Sequence, residues 1–324
     1  MARFIKILKK TALAASIASL ATVANATIVT SIKPLGFIAS SIADGVTDTE
    51  VLVPAGASPH DYSLKPSDIQ KLQGAELILW VGEDIDAFLD KTLRPMPFKK
   101  VLSIADFAEI GGLLEGEAHD HKHEHDHTHK HDHDHKHDHE HKHDHAHGHE
   151  HDHSTNWHVW YSPEISKIVA TRLATRLTEA YPEKKEKIAQ NLAEFNRTLA
   201  EQSEKIKQQL APVKEKGFYV FHDAYSYFNN AYGLKQTGYF TINPLVAPGA
   251  KTLAKIKQEI KEHKVNCLFA EPQFTPKVIE SLSKGTGVHV GRLDPMGDAV
   301  KLGVNSYANF LQYTADSYFA CLSK

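Results

Sequence analysis

The chain has 324 residues, of which 41% are hydrophobic and 24% charged, and its formal net charge is −3 with histidine counted as neutral. This length accommodates two domains, and the near-neutral balance predicts no basic surface for nucleic acid. Beyond residue 26 no stretch contains 18 consecutive apolar residues, so no membrane-spanning helix is predicted there.

The first 26 residues have the pattern of a secretory signal peptide. A basic start precedes an apolar run from Ala12 to about Val23, and the segment ends in A-N-A, an A-x-A cleavage signal. We expect cleavage after Ala26 and export of the mature chain as a soluble protein. Thr27, and not cysteine, would follow the cut, so no lipid anchor is expected.

Strand-like and helical patterns alternate from residue 27 to residue 104. Apolar, β-rich segments predict strands at 27–32, 49–56, 76–82 and 99–104. Helical patterns lie between them at 36–45, 65–75 and 86–93. This alternation predicts a parallel sheet with helices on its faces.

A histidine-rich insertion at 117–154 interrupts the alternation. Every odd position from His119 to His153 is histidine, which accounts for 18 of the chain's 23 histidines. These residues are His119, His121, His123, His125, His127, His129, His131, His133, His135, His137, His139, His141, His143, His145, His147, His149, His151 and His153.

The insertion is predicted to be disordered, because it holds nothing apolar to bury and a single strand of that length has no precedent in ordinary sheets. Imidazoles with interleaved carboxylates are expected to hold several Zn²⁺ ions weakly and to exchange them quickly. The insertion would then capture or buffer zinc beside a separate, tighter site. The alternative is a solvated polar loop without a role.

Two helices are predicted after the insertion. Ser162 is a suitable N-cap with Pro163 in the first helical position, and this helix should end by Pro182. A second helix should run from about Glu183 to Leu210 without glycine or proline, at a length of roughly 40 Å. Together with the two residues that follow it, this helix (183–212) is predicted to be a rigid connection between two domains.

The remaining sequence repeats the strand and helix alternation. Strands are predicted at 217–221, 236–242, 266–270 and 287–293, and helices at 224–233, 252–264, 275–285 and 306–322. The predicted fold class is α/β, with two Rossmann-like lobes at 27–182 and 213–324 joined by the long helix.

The histidines outside the insertion are the candidates for a defined metal site; they are His60, His158, His222, His263 and His289. A lone histidine is usually a polar residue with a local partner. We therefore use the position of each histidine relative to the predicted strands and helices to identify candidate ligands. Ligands of open α/β sheets bind at the carboxyl ends of the strands. His60 and His222 follow predicted strands, and His158 directly precedes a helix start. By contrast, His263 is predicted inside a helix and His289 within a strand, and we interpret both as structural.

Two carboxylates also follow predicted strands, Glu271 and Asp294. Three imidazoles with nearby carboxylates, converging between two domains, suit a borderline cation such as Zn²⁺. A catalytic metal with an open position would use the same ligands, which leaves a zinc hydrolase as the competing class, with Glu271 as its general base. The chain contains no G-x-S-x-G, Walker, G-x-G-x-x-G or H-E-x-x-H motif, and no enzyme is predicted.

The two cysteines of the chain are Cys267 and Cys321. Two cysteines in an exported protein pair more often than not; the alternative is two buried thiols. There is no C-x-x-C, and a widely spaced pair is a poor zinc motif.

Several stretches of the mature chain resemble the ZnuA-type periplasmic zinc-binding proteins of the metal-specific solute-binding family. These stretches are SIKPLGFIASSIADG, VLVPAGASPHDYSLKPSD, WHVWYSPE, FHDAYSYF, FAEPQF and RLDPMG. The resemblance covers nearly the whole mature chain, and an acidic histidine-rich insertion is typical of the zinc branch. It implies two α/β lobes joined by one long helix, with the metal in the cleft. It also implies a periplasmic monomer that delivers Zn²⁺ to an ABC permease, with the ATPase of that transporter on the cytoplasmic side.

The resemblance also implies a ligand set. The carried-over ligands are His60, His158 and His222. Asp294 matches a ligand of manganese-type relatives, whereas Pro59 occupies the position where some zinc-type members have an acidic ligand. Asp294 or water would therefore complete the shell. The family pattern further favours a disulfide between the two cysteines.

Two other functions remain open. A manganese or iron receptor of the same family is one, although harder cations prefer carboxylates to a third histidine. The other is a periplasmic zinc store with no role in transport.

Overall fold

The computed structural model describes residues 27–116, 155–274 and 277–324. The predicted signal peptide at 1–26 and the histidine-rich insertion at 117–154 therefore lie outside the described residues. Among the residues that are described, no helix combines the length and the apolar character that a membrane crossing requires.

The first sheet is parallel and has four strands in the order β2-β1-β3-β4. The strands are β1 (Thr27–Thr30), β2 (Asp48–Val51), β3 (Leu77–Trp80) and β4 (Val101–Ser103). Its helices are α1 (Lys33–Ile42), α2 (Pro66–Gly74), α3 (Glu83–Asp86) and α4 (Asp90–Leu93). β3 is buried along its whole length, as its uninterrupted LILW run requires in a sheet covered on both faces. The prediction of a single helix at 86–93 is wrong, because α3 and α4 are separate short helices.

A short antiparallel pair and two long helices follow. The pair joins β5 (Glu115–Gly116) to β6 (Thr155–Asn156) across the base of the insertion. The helices are α5 (Pro163–Ala180) and α6 (Lys185–Leu210). The Ser162 side chain accepts a hydrogen bond from the Ile165 N–H at 3.2 Å, which caps α5 as its sequence predicts.

The second sheet repeats the architecture of the first and has the order β10-β9-β7-β8, also parallel. Its strands are β7 (Phe218–His222), β8 (Gln236–Thr241), β9 (Cys267–Ala270) and β10 (His289–Arg292). Its helices are α7 (Ser226–Tyr232), α8 (Ala250–Lys261), α9 (Lys277–Thr286) and α10 (Ser306–Leu322). The predicted α/β class with two parallel sheets is confirmed.

The last helix holds the two halves of the sequence together. Cys321 in α10 forms a disulfide with Cys267 in β9, with 6.2 Å between their Cα atoms, so the predicted pairing is confirmed. The same helix packs against α1, from the first half, and against α6. Phe310 of α10 stacks on Tyr161 with 5.2 Å between ring centroids. The boundaries at 182 and 212 stay a prediction, because α10 contacts both halves.

Candidate metal centre

Three histidines reach one point from three different segments. His222 is the last residue of β7. His60 lies in a 3-10 turn, Pro59–Asp61, that follows the end of β2. His158 stands between β6 and the 3-10 turn Val159–Tyr161 that leads into α5. His222 and His60 thus follow strands of the two parallel sheets, on the side at which open α/β sheets bind ligands.

The geometry of the three rings fits a zinc ion. One ligand nitrogen from each of His60, His158 and His222 lies within 4.8 Å of the others. The Nε2 atoms of His158 and His222 are 3.2 Å apart. Two nitrogens at about 2.0–2.1 Å from a tetrahedral Zn²⁺ would be separated by about 3.4 Å. A small movement of two rings would therefore place them at bonding distance from one ion.

A buried carboxylate orients the His222 ring. Both oxygens of Glu271 lie close to His222 Nδ1, at 2.7 and 2.8 Å. Tyr225 donates its hydroxyl hydrogen to the same carboxylate at 3.0 Å. The Glu271 side chain is fully buried, so the pair is shielded from water. A carboxylate at Nδ1 fixes the tautomer that leaves Nε2 free for a metal and makes that nitrogen more basic.

An amide orients the His158 ring in the same way. Asn156 Oδ1 accepts from the backbone N–H of His158 at 3.1 Å and lies 2.8 Å from its Nδ1. Asn156 Nδ2 in turn donates to the backbone carbonyl of Asp223 at 2.8 Å. His158 is thereby linked to the residue that follows His222. Sequence reasoning missed Asn156, whose only signal is a polar side chain two residues before a histidine.

Burial keeps two of the imidazoles neutral at physiological pH. Desolvation, with a smaller contribution from the nearby His222, lowers the pKa of His60 to about 4. Desolvation, with His222 and His60 adding to it, holds the pKa of His158 well below its usual range. A neutral imidazole offers its lone pair without first losing a proton, so the two rings are ready to bind a cation.

The carboxylate of Asp294 is engaged in other contacts. Its Oδ1 accepts from Gln273 Nε2 at 2.8 Å and from the Met296 N–H at 3.0 Å. Its Oδ2 accepts from the Asp298 N–H at 2.7 Å. The three-histidine group does not include it. Direct ligation by Asp294 stays a prediction, and its present contacts indicate a role in shaping the loop at 294–298.

The cavity at the histidines is small. Its volume is about 10 Å³, and its walls include Pro59, Trp160, Phe274 and Met296. About 10–15 Å³ is the space that one water molecule needs, so the cavity accommodates an ion and no organic substrate. Larger cavities lie elsewhere: one of about 480 Å³ is lined by His60 and by neither of the other two histidines, and one of about 750 Å³ beside β4 is lined by none of the three.

The other candidate histidines lie elsewhere. His289 begins β10, as predicted, and is exposed. The prediction that His263 lies inside a helix is wrong, because α8 ends at Lys261. His263 has a φ of 57° in the following turn, and its N–H donates to the Ile260 carbonyl at 3.0 Å. The 18 histidines of the insertion lie outside the described residues.

Two parallel sheets with three histidines converging between them define a two-lobed metal-binding protein. Residues 28–321 match the family described as "ZnuA: Zinc-uptake complex component A periplasmic". The chain belongs to this family, and the resemblance noted in its sequence is confirmed.

Similar proteins agree with this assignment. The chain is 68% identical to the "High-affinity zinc uptake system protein ZnuA" of Haemophilus influenzae, over 98% of this chain and 99% of that protein. It is 56% identical to the protein of the same name from Haemophilus ducreyi, again over 98% and 99%. Among solved structures, the periplasmic zinc binding protein TroA from Treponema pallidum matches with a TM-score of 0.70. It is 18% identical, and the match covers 93% of this chain and 100% of that chain; this likeness shows the fold.

Proposed function

We propose that this protein binds one Zn²⁺ ion tightly at His60, His158 and His222 and delivers it to the permease of a zinc-uptake ABC transporter. The observation that carries the proposal is the convergence of three imidazole nitrogens within 4.8 Å of one another at the ends of two sheets. Three nitrogen ligands with one open position suit Zn²⁺. The names of the relatives, which describe high-affinity zinc uptake, support the same function.

The ligand set favours zinc over manganese or iron. Harder cations prefer carboxylate oxygens, whereas the group holds three histidines and no carboxylate. Pro59 stands where an acidic ligand would precede His60, and the oxygens of Asp294 accept three hydrogen bonds from other groups. We therefore assign the fourth position to water, which a receiving transporter can displace without breaking a protein ligand.

The site suits the binding and release of a metal ion, and we propose that the protein is not an enzyme. A hydrolase would need room for a substrate and a free general base. The cavity of about 10 Å³ that all three histidines line leaves no such room, and the larger cavity beside it reaches only His60. Glu271, the base that a hydrolase would use, has both oxygens directed at His222 Nδ1.

The proposed setting is the periplasm. The signal peptide would direct export and be cleaved after Ala26, and the mature protein would act as a monomer. Its partners would be the permease and, on the cytoplasmic side of the membrane, the ATPase of the transporter. The histidine-rich insertion would capture or buffer zinc close to the tight site, at high local concentration.

Zinc titration of the mature protein against a competing chelator tests the site assignment. Deleting residues 119–153 should remove the weak binding and keep one tight site. In that deletion protein, His222→Ala should weaken the tight site sharply, because the ion would lose one of its three protein ligands. His263→Ala and His289→Ala are matched controls and should leave the affinity unchanged. If His222→Ala binds zinc as tightly as its parent, the site is misassigned.

Growth at limiting zinc separates delivery from storage. In cells that lack their own periplasmic zinc-binding protein, the wild-type chain should restore growth, and His222→Ala should not. Restoration should require the permease genes. If growth returned equally in cells without the permease, the protein would be a zinc store.

A further inference from the structure

We propose that Asp298 is a positioning residue for the zinc ligand His60. It joins the loop at 294–298, which follows β10, to the turn at 54–58, which follows β2 and leads to His60. We call this contact the Asp298 clasp. The inference rests on the proposed function, because it concerns how the same three-histidine site retains its ion.

Asp294 gives the 294–298 loop its shape. Its carboxylate accepts from the N–H groups of Met296 and Asp298, at 3.0 and 2.7 Å. Gly297 adopts a φ of 63°, in the left-handed region, and a Cβ there would meet Phe310. Hydrogen bonds from two N–H groups to one carboxylate hold the loop in a tight turn. Asp294, a metal ligand according to the family resemblance, thus stabilises a loop beside the metal site.

The 294–298 loop is fixed on both sides of that turn. Trp160 Nε1 donates to the Pro295 carbonyl at 3.1 Å, and the Trp160 ring packs against His158 with 5.2 Å between centroids. Lys33, at the start of α1, donates from Nζ to the Asp298 carbonyl at 2.6 Å. The backbone of the loop that carries the Asp298 carboxylate is therefore anchored at two points to the first half of the sequence.

The carboxylate of Asp298 then holds the turn that carries His60. Its Oδ2 accepts from the Gly56 N–H at 2.7 Å. Gly56 has a φ of 78° and, like Pro54 and Ala55, is exposed. Two residues later, Ser58 Oγ accepts from the His60 N–H at 3.3 Å and fixes the short 3-10 turn of the ligand. The position of His60 is thus set through Gly56 by Asp298.

The two other ligands are held together by a different set of bonds. Asn156 orients His158 and donates to the backbone of Asp223, next to His222. Both rings are buried, whereas His60 is only half-buried. His158 and His222 form a fixed pair, and His60 is the third ligand that the clasp brings to them. Weakening the clasp should therefore speed the departure of zinc by the route on which His60 leaves first.

Zinc release from the full mature chain measures this effect. After mixing with excess chelator, a fast phase should report the weakly held ions and a slow phase the tight site. Asp298→Ala should accelerate the slow phase roughly 3- to 10-fold, the range that follows from losing one hydrogen bond. Asp298→Asn keeps an oxygen that can accept from Gly56 and should release zinc at nearly the parental rate. Asp44→Ala, which removes an exposed ion pair with Lys187, is the matched control.

A double-mutant cycle distinguishes positioning from general stability. If Asp298 acts through His60, Asp298→Ala should have no further effect on zinc release once His60→Ala is present. The zinc-free proteins should unfold at similar temperatures with and without Asp298→Ala. Equal slow phases in parent and Asp298→Ala, an undiminished effect in the His60→Ala background, or a large loss of zinc-free stability would each overturn the inference. Failure of the proposed function is a separate result: the parent itself would then show no slow phase that depends on His60.

Discussion

Replacing Glu271 by glutamine should weaken zinc binding without disturbing the fold. The substitution keeps the size of the side chain and one acceptor oxygen near His222 Nδ1, which now lies 2.7 Å from a carboxylate oxygen. What disappears is the negative charge that fixes the ring tautomer and raises the basicity of Nε2. The change thus alters how well the ligand donates to the ion, and leaves the number of ligands as it was.

The expected loss of zinc affinity follows from the environment of the Glu271–His222 pair. Exchanging a charge-assisted hydrogen bond for a neutral one costs about 1–1.5 kcal/mol, or about tenfold in affinity. The Glu271 side chain is fully buried and the His222 side chain only 3% exposed, so water cannot replace the lost charge. We therefore expect a loss of about 10- to 100-fold, the range found for partners of metal-binding histidines. Tyr225→Phe, which removes only the 3.0 Å bond to Glu271, should cost about two- to threefold, at the low end of a single hydrogen bond.

Competition with a zinc chelator at pH 7.5, followed for parent and variants under identical conditions, measures these affinities. The order of decreasing affinity should be parent, Tyr225→Phe, Glu271→Gln and His222→Ala. Glu262→Gln is a suitable control, because Glu262 is an exposed carboxylate that pairs with Lys264. Circular dichroism of the zinc-free proteins should show no difference in fold.

Parental affinity in Glu271→Gln, measured alongside a clear loss in His222→Ala, would refute the reasoning. It would mean that His222 binds the ion without help from its carboxylate. A loss in Glu262→Gln equal to that in Glu271→Gln would refute it as well, since the effect would then be one of net charge.

Three further predictions concern other parts of the chain. Reducing the disulfide between Cys267 and Cys321 should lower the free energy of unfolding by at most about 4 kcal/mol, and thiol titration of the unfolded protein should find two thiols only after reduction. Zinc held by the insertion should be lost as pH falls from about 7.5 to 5.5, because free imidazole has a pKa of about 6.5; calorimetry should show the tight site surviving this range, since burial lowers the pKa of His60 to about 4. Burial also raises the pKa of Asp86 to about 7. Above about pH 3.9 the unfolded chain releases this proton while the folded protein keeps it, so the free energy of unfolding decreases as pH rises from about 3.9 to 7. Asp86→Asn should accordingly raise the unfolding temperature at pH 8 more than at pH 5, and an equal change at both would contradict the assignment.

The sequence predicts the central strands well, because these are short apolar runs of the kind that a covered sheet needs. β3 and β9 are buried at every residue, and their runs stand out without any knowledge of the fold. The ends of elements are less predictable. The sequence predicts that the first strand reaches Ile32, but that residue is the N-cap of α1, because Pro34 favours a helix start there.

The sequence predicts which three histidines lie together, but it does not predict the groups that orient them. A histidine that follows a strand can be identified from the chain alone, because topology places strand ends at a ligand edge. The amide of Asn156 can be recognised only once the backbone of Asp223, 67 residues later, is seen beside it. The same holds for Asp294, whose side chain faces the N–H groups of its own loop. Hydrogen-bond partners depend on the final placement of backbone groups, which no local pattern encodes.

The antiparallel pair of β5 and β6 has a consequence for how such proteins vary. Because Gly116 is paired with Thr155, the residues that flank the insertion lie side by side. Thr155, where the chain re-enters the scaffold, is three residues before His158. Lengthening a loop whose ends are already joined costs little, about 0.6 kcal/mol for each doubling of its length. Gain or loss of histidine-aspartate units by replication slippage should therefore be nearly neutral for folding. Under the proposed function, the number of ions that the insertion holds would then vary between lineages without a change in the scaffold that forms the three-histidine site.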